Sequence, residues 1–390
     1  MQKNWVVKQQ GDPETVKQLS EELRIGPILG NLLMQRGINT FEEARSFFRP
    51  EISHLHDPFL MKDMDIAVER INKAIANKEN ILIYGDYDVD GTTSVALLYS
   101  FLKTQYDKLG FYLPDRYREG YGISHAGIDF AKTHGYTLII ALDCGIKAIE
   151  QINYANKQGV DFIICDHHRP GDTLPAAVAV LDPKRADCEY PYKELSGCGI
   201  GFKLAQALAS QKNIPFTELE QYLDLLVVSI ASDIVPITGE NRVLSYFGLQ
   251  RLNTNPRPGI EALLEFSNIK KALTISDIVF TIGPRINAAG RIEDARLAVE
   301  LLITDNEEDA RLAGTKINQN NTDRRTIDAA VTEEAFRLLE EENHLGKKST
   351  VLYHPEWHKG VVGIVASRLT EKCYRSTIVL TQSNGLASGS

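Results

Sequence analysis

Val160–His168 reads V-D-F-I-I-C-D-H-H, an apolar run that stops abruptly on one carboxylate and two imidazoles. Two earlier runs stop in the same way. Ile81–Tyr84 (I-L-I-Y) leads into G-D-Y-D-V-D-G, which puts Asp86, Asp88 and Asp90 just past its end, and Leu138–Leu142 (L-I-I-A-L) leads into Asp143. Short Ile-rich runs bounded by polar or Gly-containing turns are strands buried on both faces, the habit of parallel sheets. Between them lie stretches of helical spacing: Thr93–Tyr106 puts Val95, Leu98, Phe101 and Leu102 on one face, and Ile146–Gln158 does so less sharply with Ile149 and Ile152. Strand, helix and strand in repetition predict fold class α/β, a doubly wound and mainly parallel sheet with right-handed crossovers.

Ligands of such sheets bind outside the carboxyl ends of the strands. Asp88, Asp90, Asp143, Asp166, His167 and His168 are therefore expected to converge on one crevice. Each aspartate taken singly reads equally well as a turn former or helix N-cap. Together, several carboxylates in one crevice repel one another unless cations neutralise them, so the set predicts a metal site. Carboxylates and imidazoles without thiolates suit Mg²⁺ or Mn²⁺. The donors are too many for one ion, and a pair sharing a carboxylate would ionise a water and clamp both sides of a displacement at phosphorus. Phosphoester hydrolysis is the implied reaction.

At 390 residues and 43% apolar content, the chain can bury large cores and is expected to form more than one domain. No apolar run reaches the ~18 residues of a membrane span and the first ten residues are polar, so a soluble cytoplasmic protein without membrane contact is expected. The five cysteines form no C-x-x-C pair, which argues against a disulfide framework and a zinc knuckle; Cys144 and Cys165 are expected to pack beside strand ends. A formal charge of −9 argues against nucleic acid as a partner, but carboxylates that hold cations are counted in it as free charge. No G-x-x-x-x-G-K-[ST] occurs, and S-G-C-G-I-G-F-K (Ser196–Lys203) lacks the dinucleotide-binding spacing; its glycines read instead as a helix start at which N–H groups approach a phosphate.

D-V-D (Asp88–Asp90), A-L-D-C-G (Asp143), D-H-H (Asp166–His168) and A-S-D-I-V-P (Asp233) resemble the four successive motifs of the DHH phosphoesterases. The resemblance implies two Mn²⁺ or Mg²⁺ ions: Asp88 and Asp143 on one, Asp90, Asp143, His167 and Asp233 on the other, with Asp143 bridging and Asp143, Asp166 and His168 serving catalysis. Tyr84 stands where many relatives carry a histidine, which leaves the first ion to lean on Asp86 or water. The G-D-Y-D-x-D-G form is similar to that of the RecJ exonucleases, the single-strand-specific 5′-to-3′ branch of the family. That implies degradation of single-stranded DNA to mononucleotides in DNA repair and recombination, with a single-strand-binding protein and a helicase as partners.

The rest of the chain extends the resemblance. Phe111–Ser124 interleaves Arg116 and Arg118 with Tyr117 and Tyr121, a composition for gripping phosphate and stacking a base, or a plain surface loop closed by Ser124 as a helix cap. Its likeness to the RecJ segment at the strand's 5′ end favours Arg116 and Tyr121. T-I-G-P-R-I-N-A-A-G-R-I (Thr281–Ile292) carries Arg285 and Arg291 along with Asn287 and small residues, a phosphate-site signal, and the resemblance makes Arg291 a phosphate contact. Asn306–Glu342 reads as one long solvated helix. W-H-K-G-V-V-G resembles the DHHA1 lobe that closes over substrate, with Trp357 and His358 favoured as a stacking platform over a packed helix entry. The terminal L-A-S-G-S resembles the start of a G-S-x-R-S phosphate clamp, implying substrate contacts for Ser388 and Ser390 and a chain that stops inside that motif, short of an OB-fold.

Four units are expected: a helical N-terminal segment (1–60), a DHH catalytic domain (61–250), a helical connector (251–345) and an incomplete DHHA1 domain (346–390). Two rival readings remain open, a phosphodiesterase of short oligonucleotides and a catalytically inactive RecJ-like replication scaffold.

Overall fold

The computed structural model describes residues 4–267, 269–341, 347–383 and 385–390. The apolar runs form a five-stranded parallel sheet of β1 (Asn80–Gly85), β2 (Leu109–Tyr112), β3 (Tyr136–Leu142), β4 (Asp161–Cys165) and β5 (Ala179–Leu181) in the order β2-β1-β3-β4-β5. Ile81 and Ile83 feed the core on one face and Leu82 and Tyr84 the core on the other, so period-two alternation is hidden because both faces are apolar. Sequence reading missed β2, a half-buried four-residue edge strand with a glycine in it.

The helix after β1, Val89–Lys103, starts four residues earlier than its apolar spacing suggests, because Asp88 accepts the Gly91 N–H at 3.0 Å as N-cap. Gly91 is needed there: a Cβ would lie 2.3 Å from the Asp86 carbonyl oxygen. The N-terminal helices begin at Asp12, the cap of Pro13–Leu23, and at the Thr40–Glu43 capping box of Phe41–Phe48, and surround a small core of Leu19, Leu33, Ile38 and Ala44. Past residue 250 the main core continues through Ile260, Leu263, Ile282 and Leu301 to Ile317, so the connector shares it.

The helix Glu307–Glu341 runs from this core to a second one, where Val331, Ala335 and Leu339 pack on Leu352, Val361 and Val365. Its expected last residue, Glu342, and the expected 345/346 boundary lie outside the described residues. In the second lobe β6 (Ser349–Tyr353) pairs parallel with β7 (Ser376–Ser383), which pairs antiparallel with β8 (Leu386–Gly389); the helix Lys359–Cys373 packs on the sheet. Among the described residues no helix is long and apolar enough to cross a membrane.

Candidate metal centre

The carboxyl ends of β1, β3 and β4 bring the acidic residues together. His167 Nε2 lies 3.2 Å from Asp143 Oδ1, 3.5 Å from Asp233 Oδ2 and 3.7 Å from Asp90 Oδ2. Two groups of donors meet at His167: Asp143 with His168, and Asp90 with Asp233. Asp88 stands outside both, its carboxylate turned to the helix it caps.

Asp90 is held by distant parts of the chain. The Gly197 and Cys198 N–H groups donate to it at 2.7 and 2.8 Å, and Ser229 Oγ donates at 2.7 Å. The N-terminus of the helix Gly197–Gln211, expected to meet a phosphate, thus takes the Asp90 carboxylate instead; the anion it attracts is the protein's own. The buried helix Leu223–Ser232 ends on Asp233. Asp143 and Ile234 hold left-handed backbone at φ 58° and 59°, an unusual state for side-chain-bearing residues and a costly one for β-branched Ile234.

Charge is stored here at a cost. Burial, and then the charges of Asp90 and Asp88, push the Asp143 carboxyl well above the ordinary range. Burial with Asp90 and Asp88 pushes Asp233 up to about 7, and burial with Asp88 does the same for Asp86. Asp143 Oδ1, both nitrogens of His167 and Asp86 Oδ2 are buried without a hydrogen-bond partner. Buried polar atoms lacking partners are expensive, and a divalent cation would satisfy Asp143 Oδ1 together with one nitrogen of His167. Cys144 adds no thiolate, because burial and the Asp166 and Asp86 carboxylates raise its thiol. The remaining oxygen and imidazole donors fit Mn²⁺ or Mg²⁺.

Asp166 is arranged differently. It accepts the Ile146, His167 and His168 N–H groups at 2.9, 2.8 and 3.1 Å, and lies 2.8 Å from His168 Nδ1. Burial alone would raise it, but these bonds bring it below the ordinary carboxylate range, and they raise His168 in return. Asp166 therefore orients His168, whose Nε2 faces the Tyr121 hydroxyl at 3.3 Å.

Asp182, at the carboxyl end of β5, is fully buried; Oδ1 accepts the Lys184 N–H at 2.7 Å and Oδ2 has no partner. Burial, assisted by Asp166, pushes it up to about 7. A raised folded pKa stabilises the fold below the unfolded value of ~3.9, and that contribution is lost as pH rises through the folded value. Asp182→Asn is expected to exceed the parent in stability by roughly 2–4 kcal/mol at pH 8, with the gap closing near pH 4. Urea melts at the two pH values check it.

A line of rings and guanidinium groups leads from His168 to the second lobe. Tyr121 meets Tyr87 edge-on at 6.3 Å, and Arg116 lies 4.8 Å over the Tyr87 ring. The Tyr117 hydroxyl donates to the Arg291 carbonyl, and its ring meets His358 at 5.9 Å. Arg291 donates to the Gly360 carbonyl at 3.0 Å; burial, with Arg116 and Arg324 nearby, brings it down to about 10. Sequence reading passed over Tyr87, although it lies inside the G-D-Y-D-V-D-G motif. Tyr84, at the expected histidine position, is buried, donates to the Gly122 carbonyl at 2.9 Å and so props the Tyr121 loop.

The remaining candidates make contacts of their own. Arg285 is not paired with Arg291: it reaches Thr281 and Phe266 carbonyls and Asn318, because six positions along a helix put the two on different faces. Trp357 is a packed helix entry, buried in the second core with Nε1 donating to Glu334 at 2.8 Å, so its faces are closed to a base. His358 accepts the Gly360 N–H at 3.1 Å as a helix cap. Ser388 pairs with Thr381 and Ser390 with Val379, and Ser390 Oγ lies beside Gly363, all within the second lobe.

Residues 80–230 match the model of the DHH family, N-terminal domain. The single-stranded-DNA-specific exonuclease RecJ of Bacillus subtilis is 40% identical over 98% of this chain, which covers 48% of that protein. That of Escherichia coli is 35% identical over 90% of the chain and 63% of the relative. The chain thus spans about half to two thirds of the length of these relatives. A crystal structure of exonuclease RecJ bound to manganese superposes with a TM-score of 0.77 at 30% identity, covering 85% of this chain and 82% of that one. RecJ of Thermus thermophilus with Mn²⁺ gives 0.81 at 28% identity over 95% and 53%. With its motifs at the carboxyl ends of β1, β3 and β4 and such likeness over most of its length, the chain belongs to the RecJ family of DHH phosphoesterases.

Proposed function

We propose that this chain is the catalytic part of a metal-dependent exonuclease that shortens single-stranded DNA from its 5′ end and releases mononucleotides, in repair and recombination. The observation that carries the reading is the buried contact of Asp143 Oδ1 with His167 Nε2, both without hydrogen-bond partners, beside Asp90 and Asp233. The single-stranded-DNA-specific exonuclease activity of the relatives and the manganese and magnesium of RecJ structures support it.

In this reading Asp90, Asp143, His167 and Asp233 would hold one ion, and Asp88 with Asp143 would hold a second. Divalent ions there supply Lewis acidity and an ionised water. Arg116 and Arg291 hold phosphate oxygens, Tyr121 positions the strand end, and His358, Ser388 and Ser390 close on it from the second lobe. His168, oriented by Asp166, stabilises developing charge or assists the leaving oxygen. The division into segments 1–60, 61–250, 251–345 and 346–390 belongs to the same proposal. So do a single-strand-binding protein and a helicase as partners that present the strand, and a cytoplasmic location, which five free cysteines suit.

The test is a time course on long 3′-labelled single-stranded DNA with Mn²⁺, beside the matching duplex and Asp143→Asn. Progressive shortening from the 5′ end, absent on the duplex and in the variant, is expected. Hydrolysis of a labelled dinucleotide with the long strand untouched would replace the reading with the short-oligonucleotide enzyme. Mn²⁺ binding without hydrolysis would replace it with the scaffold, against which the intact donor set speaks.

A further inference from the structure

Glu119 sits in the loop that carries Arg116, Tyr117 and Tyr121, but it belongs to neither donor group at His167. Its half-buried carboxylate gathers the two ends of that loop instead. Oε1 accepts the Asp115 N–H at 2.8 Å, Oε2 accepts the Ser124 hydroxyl, and the Tyr112 hydroxyl lies 3.0 Å from both oxygens. We propose that Glu119 is the positioning residue of this loop, fixing Arg116 and Tyr121 for the strand without touching the strand itself; this rests on the exonuclease reading above, in which those two side chains meet the strand.

The loop has little else to hold its shape. Between Tyr112, the end of β2, and His125, the start of the helix His125–Thr133, it forms neither helix nor strand. Gly120 and Gly122, on either side of Tyr121, have φ of 88° and 81° with open space where a Cβ would stand, so they bend the chain and pin nothing. Ordering such glycines costs more backbone entropy than ordering any other residue. Asp115 makes a local turn by accepting the Tyr117 and Arg118 N–H groups at 2.8 Å each, and Tyr84 holds the Gly122 carbonyl. Glu119 supplies the closure between ends. Both ends stand on firm ground, since the buried Tyr84 ring stacks with Tyr112 at 5.4 Å and its hydroxyl accepts the Ser124 N–H at 3.2 Å.

Closure matters because the side chains it carries are placed to within hydrogen-bond tolerances. The Tyr121 hydroxyl lies 3.3 Å from His168 Nε2 and 3.4 Å from the Asp143 carbonyl, and Arg116 lies 4.8 Å over the Tyr87 ring. A loop released from Glu119 spends part of its time in other conformations, and apparent affinity for the strand falls by the fraction that remains competent. The metal donors Asp90, Asp143, His167 and Asp233 stand on other elements and do not depend on this loop. The charge of Glu119 is not itself required, because glutamine keeps an acceptor for the Asp115 N–H and its amide donates to Ser124 Oγ.

The test measures KM and kcat on long 3′-labelled single-stranded DNA with Mn²⁺ for the parent, Glu119→Ala, Glu119→Gln and Tyr112→Phe. Hydrolysis of bis(p-nitrophenyl) phosphate, which needs the metal centre alone, and Mn²⁺ binding by calorimetry are followed in parallel. E119A is expected to raise KM about tenfold, as when a tenth of the loop population stays competent, and to keep kcat, the small-ester rate and the Mn²⁺ affinity. Trypsin should cut it after Arg116 and Arg118 faster than the parent. E119Q should restore the parent KM, and Y112F, which removes one hydrogen bond, should raise it about threefold. A parent-like KM in E119A, a KM as high in E119Q as in E119A, or a matching loss of small-ester rate and Mn²⁺ binding overturns the positioning role. Should E119A fail to fold, Y112F decides, and an unchanged KM there overturns it. Failure of the parent to shorten any strand overturns the exonuclease reading itself.

Discussion

Asp143→Asn is expected to slow Mn²⁺-dependent hydrolysis roughly 10³-fold, about 4 kcal/mol of lost transition-state stabilisation, while making the metal-free protein more stable. Both effects come from one carboxylate. Asp143 is buried and its Oδ1 has no hydrogen-bond partner. Burial and the neighbouring charges raise its pKa well above the unfolded value, so its stabilising share is present below the unfolded value and lost as pH rises through the folded one. Asparagine removes that charge and tolerates the left-handed backbone at φ 58°, where alanine would pay ~1–2 kcal/mol. Melting curves with and without Mn²⁺ separate the effects: the parent should gain stability from the ion by mass action, and the variant should gain far less. An active variant, or one stabilised by Mn²⁺ as strongly as the parent, would remove Asp143 from the centre of the site.

The second large effect concerns stability. Lys203 and Glu240 form a fully buried ion pair at 3.0 Å; Lys203 also donates to the His56 carbonyl at 2.6 Å, and Glu240 accepts the Tyr190 hydroxyl at 2.7 Å. Lys203→Met leaves Glu240 buried without its cation and is expected to cost about 3–5 kcal/mol. Lys203→Met with Glu240→Gln should recover most of that loss, since an apolar and neutral pair carries no uncompensated charge. Denaturant unfolding of the three proteins reads it directly. The pair also ties residue 56 to the helix whose first N–H groups hold Asp90, but Lys203 lies in its second turn. The turnover of folded K203M is therefore expected to match the parent. Loss of turnover in a fully folded variant would mean that the pair sets the position of Asp90.

Much of the sheet was legible because its signals are local. Ile-rich runs ending on aspartate identified β1, β3 and β4, D-V-D, Asp143 and D-H-H placed donors at their ends, and A-S-D placed one more at the end of a helix. The helix cap at Ser124 and the helix start at Ser196 were equally readable, since a cap needs only its own neighbours. Failures occurred where the local signal was weak or shared. β2 is short and half-buried. A tryptophan beside a histidine reads alike as a stacking platform or a packed corner, and only Glu334, on another helix, decides for Trp357.

By itself, then, the sequence determined the α/β class, the strand ends and the kind of atom that meets there, because apolar period and residue chemistry are properties of neighbours along the chain. Tertiary structure alone decided which atoms those donors face. Asp90 is held by Gly197, Cys198 and Ser229, more than a hundred residues away, and Asp166 is spent on orienting His168 while Asp143 Oδ1 stays bare. A carboxylate becomes a buttress or a ligand according to the hydrogen-bond donors that packing brings within about 3 Å of it, and distances of that size between remote segments are set by the packed helices, not by their order in the chain.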